Sequence, residues 1–213
     1  MKISVLTPSI RPEGLKVVEE TLMTQGFSDF EWLYRLSAPG PKPDLCHVYN
    51  EMLRESKGEL IVSLQDYIRI MPDGLARFWA KYQEFSNTAF TAPVGKTLDW
   101  KSVEWDWRKA REKDDRVEPF QWEADWASCP RRAIFEVGGF DEDFDSGFSW
   151  DNVEIAMRMA KIGLEFRVDP ENPAVAFDHD KVMPHPYRAK SNRDLWAGKQ
   201  RDIESGIVKL PFL

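Results

Sequence analysis

Hydrophobic and polar positions in the first half of the chain follow two alternating periods. Short apolar runs bounded by turn residues lie at Lys2–Thr7, Phe30–Leu36, Leu60–Leu64 and Ala89–Val94. Runs of that length between turn signals predict strands buried on both faces. Between them apolar residues recur at helical spacing. Leu15, Val18, Leu22 and Met23 follow Pro12-Glu13-Gly14, and Gly26 closes that helix. Leu45, Val48, Tyr49, Met52 and Leu53 follow Asp44, a residue suited to cap a helix ending at Lys57-Gly58. Leu75, Phe78, Trp79 and Tyr82 mark a third helix over Pro72–Phe85. This β-α-β-α-β-α-β order predicts an α/β fold: one domain with a doubly wound, mostly parallel central sheet and helices on both faces.

The periodicity fails between Thr97 and Trp122, where Trp100, Trp105, Trp107 and Trp122 are scattered among charged residues. A segment of this kind reads either as a mobile lid or as a surface excursion with its own aromatic cluster. Thr7-Pro8-Ser9 reads as a turn exposing backbone amides. Strand character resumes at Glu123–Pro130, followed by a short helix over Arg131–Val137 and the turn Gly138-Gly139-Phe140-Asp141-Glu142. A helix then runs from Ser149-Trp150-Asp151-Asn152 through Ile162, with Val153, Ala156, Met157 and Ala160 expected inward and Gly163 as its stop. Leu164–Val168 and Ala174–Phe177 read as short strands, the second ending in Asp178-His179-Asp180. From Pro184 the chain is basic, with Arg188 and Lys190, before an amphipathic stretch over Asp194–Ile203. The expected organisation is one domain over 1–183, divided at 95/96, and a basic tail over 184–213 that packs on it.

With 213 residues, 42% hydrophobic and 31% charged, the chain is long and apolar enough for one large globular core. A net charge of -7 argues against a broad nucleic-acid-binding face. Cys46 and Cys129 fit no metal spacing and read as reduced structural thiols. The opening MKISVLTPS enters a strand pattern directly, and no apolar run reaches the roughly 18 residues of a membrane span. A soluble, cytoplasmic protein with no membrane span is therefore expected.

Candidate chemistry gathers at strand and helix ends. Asp66 follows the apolar run Leu60–Leu64, at the carboxyl end of a strand, where open α/β sheets place their ligands; the alternative is a turn cap. Asp151 and Glu154, three residues apart, share a helix face, and read either as functional carboxylates or as a cap with first-turn charges. His179 ends a late strand, either as a ligand or as a hydrogen-bonded histidine. An Asp and a His brought together, with diphosphate oxygens, suit Mg²⁺ or Mn²⁺.

Three blocks of the chain, ISVLTPS, GELIVSLQDYIRIMPDGL and CPRRAIFEVGGFDEDFDSGFSWDNVEIAMRMAKIG, together with the strand ending in His179, resemble family 2 glycosyltransferases with the GT-A fold. The resemblance implies a nucleoside-diphosphate sugar donor, a UDP-sugar first, held over the first half of the sheet by Thr7, Pro8, Ser9, Arg11, Gln65, Asp66 and Tyr67. It implies a divalent cation, Mn²⁺ or Mg²⁺, on Asp66 and His179. Asp151 would be the base that takes the proton of an acceptor hydroxyl in an inverting transfer, with Glu154 beside it. Trp105, Trp107 and Trp150 are the aromatic candidates for the acceptor, and Arg188 and Lys190 are cations for the diphosphate. The chain departs from the family pattern in carrying one carboxylate in Gln65-Asp66-Tyr67, Asn152 after Asp151, and no aspartate after Leu36. The other readings are a nucleotide-sugar or glycan-binding module with eroded catalysis, and a sugar nucleotidyltransferase.

Overall fold

Alternating side chains on the central strands feed two cores, one on each face of a sheet. The computed structural model describes residues 1–37, 44–97, 102–147, 149–177 and 192–213. Its strands are β1 (Ile3–Ser9), β2 (Phe30–Leu36), β3 (Leu60–Leu64), β4 (Ile68–Ile70), β5 (Thr88–Thr91), β6 (Val94–Thr97), β7 (Glu104–Trp105), β8 (Trp126–Pro130), β9 (Glu165–Val168) and β10 (Ala174–Phe177). Its α-helices are α1 (Pro12–Met23), α2 (Leu45–Glu55), α3 (Gly74–Glu84), α4 (Arg131–Glu136), α5 (Asp151–Lys161) and α6 (Arg193–Glu204).

Six strands form the central sheet in the order β2-β1-β3-β8-β5-β9. All run in one direction except β8, which is antiparallel to both β3 and β5. Leu6, Ile61, Ala127 and Cys129 face the core shared with α2, α4 and α5, where Met52, Ile155 and Met159 pack. Ile3, Val5, Leu60, Val62 and Leu64 face the other core with Val18 of α1 and Leu75 and Phe78 of α3. The expected α/β architecture, a mostly parallel sheet between helices, is the one found. No helix among the described residues is long and apolar enough to cross a membrane.

Several local expectations are corrected. Thr7-Pro8-Ser9 is strand and not turn: β1 pairs with β2 as far as Ser9 and Leu36, and Ser37 N–H bonds the Ser9 carbonyl. Pro8 is tolerated because β3 stops pairing with β1 at Leu6, so from there β1 has a partner on one side only. The run Ala89–Val94 is broken at Pro93 into β5 and β6, which lie in different sheets. β6 joins a second, four-stranded sheet of order β4-β10-β6-β7 that periodicity did not reveal. Its members are two to four residues long, too short for alternation to register.

The described part of the aperiodic segment is tied to the domain at several points, among them the Asp114 and Val117 N–H groups, which bond the Val168 and Phe166 carbonyls. Arg108, 2% exposed, forks between Asp106 and Asp125, and Trp122 is buried in the core. Asp44 makes no cap bond; the Asp145 carboxylate accepts the Cys46 and His47 N–H groups at the start of α2 instead. On α5 the buried side is Glu154, Ile155, Ala156, Arg158 and Met159, whereas Val153, Met157 and Ala160 are only half-buried. The buried pair Glu154–Arg158 rotates the inward face away from the one apolar spacing predicts.

The C-terminal segment lies across α5 and the Gly138-Gly139 turn. Trp196 of α6 stacks on Trp150 with ring centroids 6.0 Å apart. Leu210 N–H bonds the Val137 carbonyl, and Lys199 pairs with Asp141 and Asp143. Gly138 has φ +79, and a Cβ there would lie 1.8 Å from the Leu210 carbonyl oxygen. Only glycine meets both the left-handed backbone and that approach.

Candidate active site

The carboxyl edge of the central sheet collects the polar groups. β1 ends there at Ser9, β3 runs into Gln65-Asp66-Tyr67, and α1 starts opposite them. Asp66 is 5% exposed. Its Oδ2 lies 2.6 Å from Ser9 Oγ and 3.3 Å from Arg11 Nε, and its Oδ1 accepts from Arg11 Nη2 at 3.0 Å. Arg11 Nη2 also reaches the Asp66 carbonyl at 3.3 Å. Ser9 Oγ in turn accepts the Arg11 N–H at 2.9 Å, so the three residues form one closed unit. Thr7, one pair back on β1, takes the Trp32 indole N–H at 3.1 Å. Tyr67 is half-buried, and burial raises its phenol.

Gln65 continues the edge inward. Its side-chain amide donates to Tyr49 Oη at 3.1 Å, and Tyr49 Oη lies 2.6 Å from Ser63 Oγ, which bonds the Ala124 carbonyl. The Gln65 N–H bonds the Asp125 carbonyl at 3.1 Å. The Asp125 carboxylate receives both ends of the Arg108 fork, at 2.8 and 2.9 Å, and Arg108 also donates to Thr91 at 2.7 Å. A buried guanidinium between two carboxylates is held charged, and its pKa is raised. Arg108 thereby ties the Trp105–Trp107 segment to the turn that carries Asp66.

Asp125, Arg108 and Tyr49 were missed in the sequence. A parallel β8 would put Glu123-Ala124-Asp125 at the amino edge, away from the site, and the sequence does not give the strand's direction. Because β8 is antiparallel, its leading residues arrive where the other strands deliver their trailing ones. Glu123 sits in the same charged group; burial and the Asp125 charge raise its carboxyl.

Asp151 is the first residue of α5, entered through left-handed backbone at Ser149 (φ 73) and Trp150 (φ 77). The Asn192 side-chain amide braces this entry by donating to the Phe144 and Ser149 carbonyls. Asp151 is half-buried, and desolvation pushes its carboxyl up to about 6 against the N–H groups of its own helix start, with the Asp145 charge adding to the rise. Its charge is felt at the Tyr49 hydroxyl and the Cys46 thiol, both raised mainly by burial. Tyr49 bonds the Asp66 side of the edge through Gln65, and Asp151 stands near enough for its charge to add to the rise of the Tyr49 hydroxyl. Asn152 spends its amide on the Trp122 carbonyl at 2.9 Å.

Glu154 lies elsewhere. It is 1% exposed, and its oxygens are 2.6 and 2.7 Å from Arg158 Nε and Nη2. Arg158 also donates to the Val137 and Gly139 carbonyls. Glu154 therefore anchors the Gly-Gly turn to α5 through Arg158, and burial keeps it from an incoming hydroxyl. Trp105 and Trp107 stand 38% and 39% exposed near the outer edge of the second sheet, and Trp150 is half-buried under Trp196. His179, Arg188 and Lys190 lie outside the described residues. Among the described residues no three His, Cys, Asp or Glu side chains are placed to hold a metal ion. The Asp66 carboxylate, closed by a guanidinium and a hydroxyl, is a poor fit to one.

No family model matches the chain, and no curated protein matches it in sequence. The solved structures it resembles include S. aureus TarS 1-349 in complex with UDP-GlcNAc, with a TM-score of 0.71 and 14% identity over 96% of this chain and 66% of that one. The same protein in complex with UDP gives 0.62 at 14% identity, over 96% of this chain and 72% of that chain. A longer TarS structure gives 0.66 at 13% identity, with 96% of this chain matched to 42% of that one. The chain thus spans about two thirds of the TarS 1-349 chain and less than half of the longer one. The likeness shows a GT-A-like fold.

Proposed function

We propose that this chain transfers a sugar from a nucleoside-diphosphate sugar, a UDP-sugar first, to an acceptor hydroxyl with inversion at the anomeric carbon. The observation that carries the proposal is the carboxyl edge that holds Asp66, with the start of α5 at Asp151-Asn152 tied to Trp122 just before β8, in a fold like that of TarS, which has been seen with UDP-GlcNAc and UDP. Thr7, Ser9, Arg11, Gln65, Asp66 and Tyr67 form the donor side. Asp151 serves as the base. The acceptor oxygen bonds to the anomeric carbon as the bond from that carbon to the diphosphate oxygen breaks. The diphosphate leaves with the electron pair, and the hydroxyl proton passes to an Asp151 oxygen. A carboxyl held near 6 is ionised at neutral pH and still basic enough to take that proton. Trp105, Trp107 and Trp150 are the aromatic surfaces proposed for the acceptor, and Arg188 and Lys190 the tail cations proposed for the diphosphate.

The test is a panel of nucleoside-diphosphate sugars incubated with the protein, followed for released products. Nucleoside diphosphate supports the proposal. Release of nucleoside triphosphate and sugar 1-phosphate only when pyrophosphate is added would instead mark a nucleotidyltransferase, and tight donor binding without any release a binding module.

A further inference from the structure

The Asp66 carboxylate is the one expected to hold a divalent cation, yet the described side chains that bond it, Ser9 and Arg11, are both donors. Arg11 gives it two guanidinium nitrogens, Ser9 its hydroxyl at 2.6 Å. The first turn of α1 is pressed against it: a Cβ at Gly14 would lie 2.7 Å from the Asp66 carbonyl oxygen and 2.8 Å from Oδ2. That turn is the positive end of a twelve-residue helix. A divalent cation at Asp66 would have to expel Arg11 and sit against this end of the helix. The neighbouring position, where a second carboxylate would help to bind it, is Gln65, whose amide is committed to Tyr49.

Arg11 behaves differently from a plain structural ion-pair partner. Its side chain keeps 23% of its surface against 7% for Asp66. Among the described residues Nη1 makes no bond, while Nε and Nη2 are both held on the Asp66 side. A guanidinium fixed along one edge and open on the other is arranged to meet an anion with its free nitrogen.

We infer that Asp66 aims Arg11, and that this guanidinium, not a divalent cation on Asp66, meets the diphosphate of the donor. The inference rests on the donor site proposed above. It makes Asp66 a positioning residue and Arg11 the anion contact, so nucleoside-diphosphate binding needs no metal.

Calorimetric titration of UDP into the whole chain tests this, in EDTA and again in Mn²⁺, for the parent and for Arg11→Ala, Arg11→Lys and Asp66→Asn. The parent is expected to bind UDP with the same affinity in both buffers. Arg11→Ala should weaken binding about 10- to 100-fold in both, the loss expected of a charge-assisted contact. Arg11→Lys keeps a charge beside the buried carboxylate, so it guards against a folding defect and should recover part of the affinity. Asp66→Asn should also weaken UDP in EDTA, because Arg11 loses its anchor. Any requirement for Mn²⁺ in the parent overturns the inference and leaves the donor site standing, as does an Arg11→Ala variant that binds like the parent. A parent that binds no UDP in either buffer overturns the donor site itself, and the inference with it.

Discussion

Replacing Asp151 with Asn separates a base from a helix cap, because the two roles predict opposite signs for stability. The carboxyl rests at about 6 in the folded chain, against an ordinary value of about 3.9. Two pH units correspond to about 3 kcal/mol opposing ionisation in the folded state, an upper bound. Discounted for the surface Asp151 keeps, about 1–2 kcal/mol is expected. The folded value is raised, so below about pH 4 both states are protonated and nothing is lost. As pH climbs from about 4 to 6 the unfolded chain ionises first, and the parent loses stability that the variant keeps. Asp151→Asn should therefore melt higher than the parent at pH 8, by about 2–8 °C, with the gap closing toward pH 4. Its donor turnover, read as nucleoside diphosphate released from a UDP-sugar, should fall about 10²- to 10⁴-fold. Parent turnover should drop about tenfold for each pH unit below about 6, as the base takes up its proton. A variant that melts lower at pH 8 and turns donor over at the parental rate would refute the reasoning and leave Asp151 a cap at the start of α5.

Three further outcomes follow from the packing. Glu154→Gln leaves the buried Arg158 charge uncompensated, so chemical denaturation should show a loss of about 3–5 kcal/mol with UDP affinity unchanged in the folded protein; lost binding with intact stability would return Glu154 to the site. Gly138→Ala puts a side chain into left-handed backbone and against the Leu210 carbonyl, and unfolding curves should show more than about 2 kcal/mol lost; a parental melt would mean that the C-terminal segment does not rest on this turn. Arg108→Lys cannot reproduce a fork shared by Asp106, Asp125 and Thr91. It should cost about 2 kcal/mol and weaken UDP binding by loosening the Gln65-Asp66-Tyr67 turn, which titration calorimetry would register.

Much of the scaffold was legible in the sequence because it rests on local periods. Phe30–Leu36 and Leu60–Leu64 are strands with the predicted bounds, and α1, α2 and α3 lie where apolar residues recur at helical spacing. The position of Asp66 at a strand end was legible for the same reason: an apolar run that stops at a charged residue marks where a buried strand leaves the sheet. Direction and partnership were not. The residues of β8 spell a strand without saying which way it runs, since that depends on where the chain arrives after the excursion from Thr97 to Trp122. Its reversal brings Asp125 to the candidate site, where Asp125 pairs with Arg108 from the excursion. Glu154 and Asp151 look alike in sequence, two carboxylates on the first turn of one helix. Tertiary packing separated them, giving Glu154 a buried arginine that bonds both its oxygens and leaving Asp151 desolvated, with no ion pair among the described residues. The sequence also placed Arg11 and Asp66 fifty-five residues apart as separate donor-side candidates. Only the parallel pairing of β1 with β3 puts a guanidinium on the carboxylate that was expected to hold a metal, because neighbouring parallel strands deliver their trailing residues to one edge.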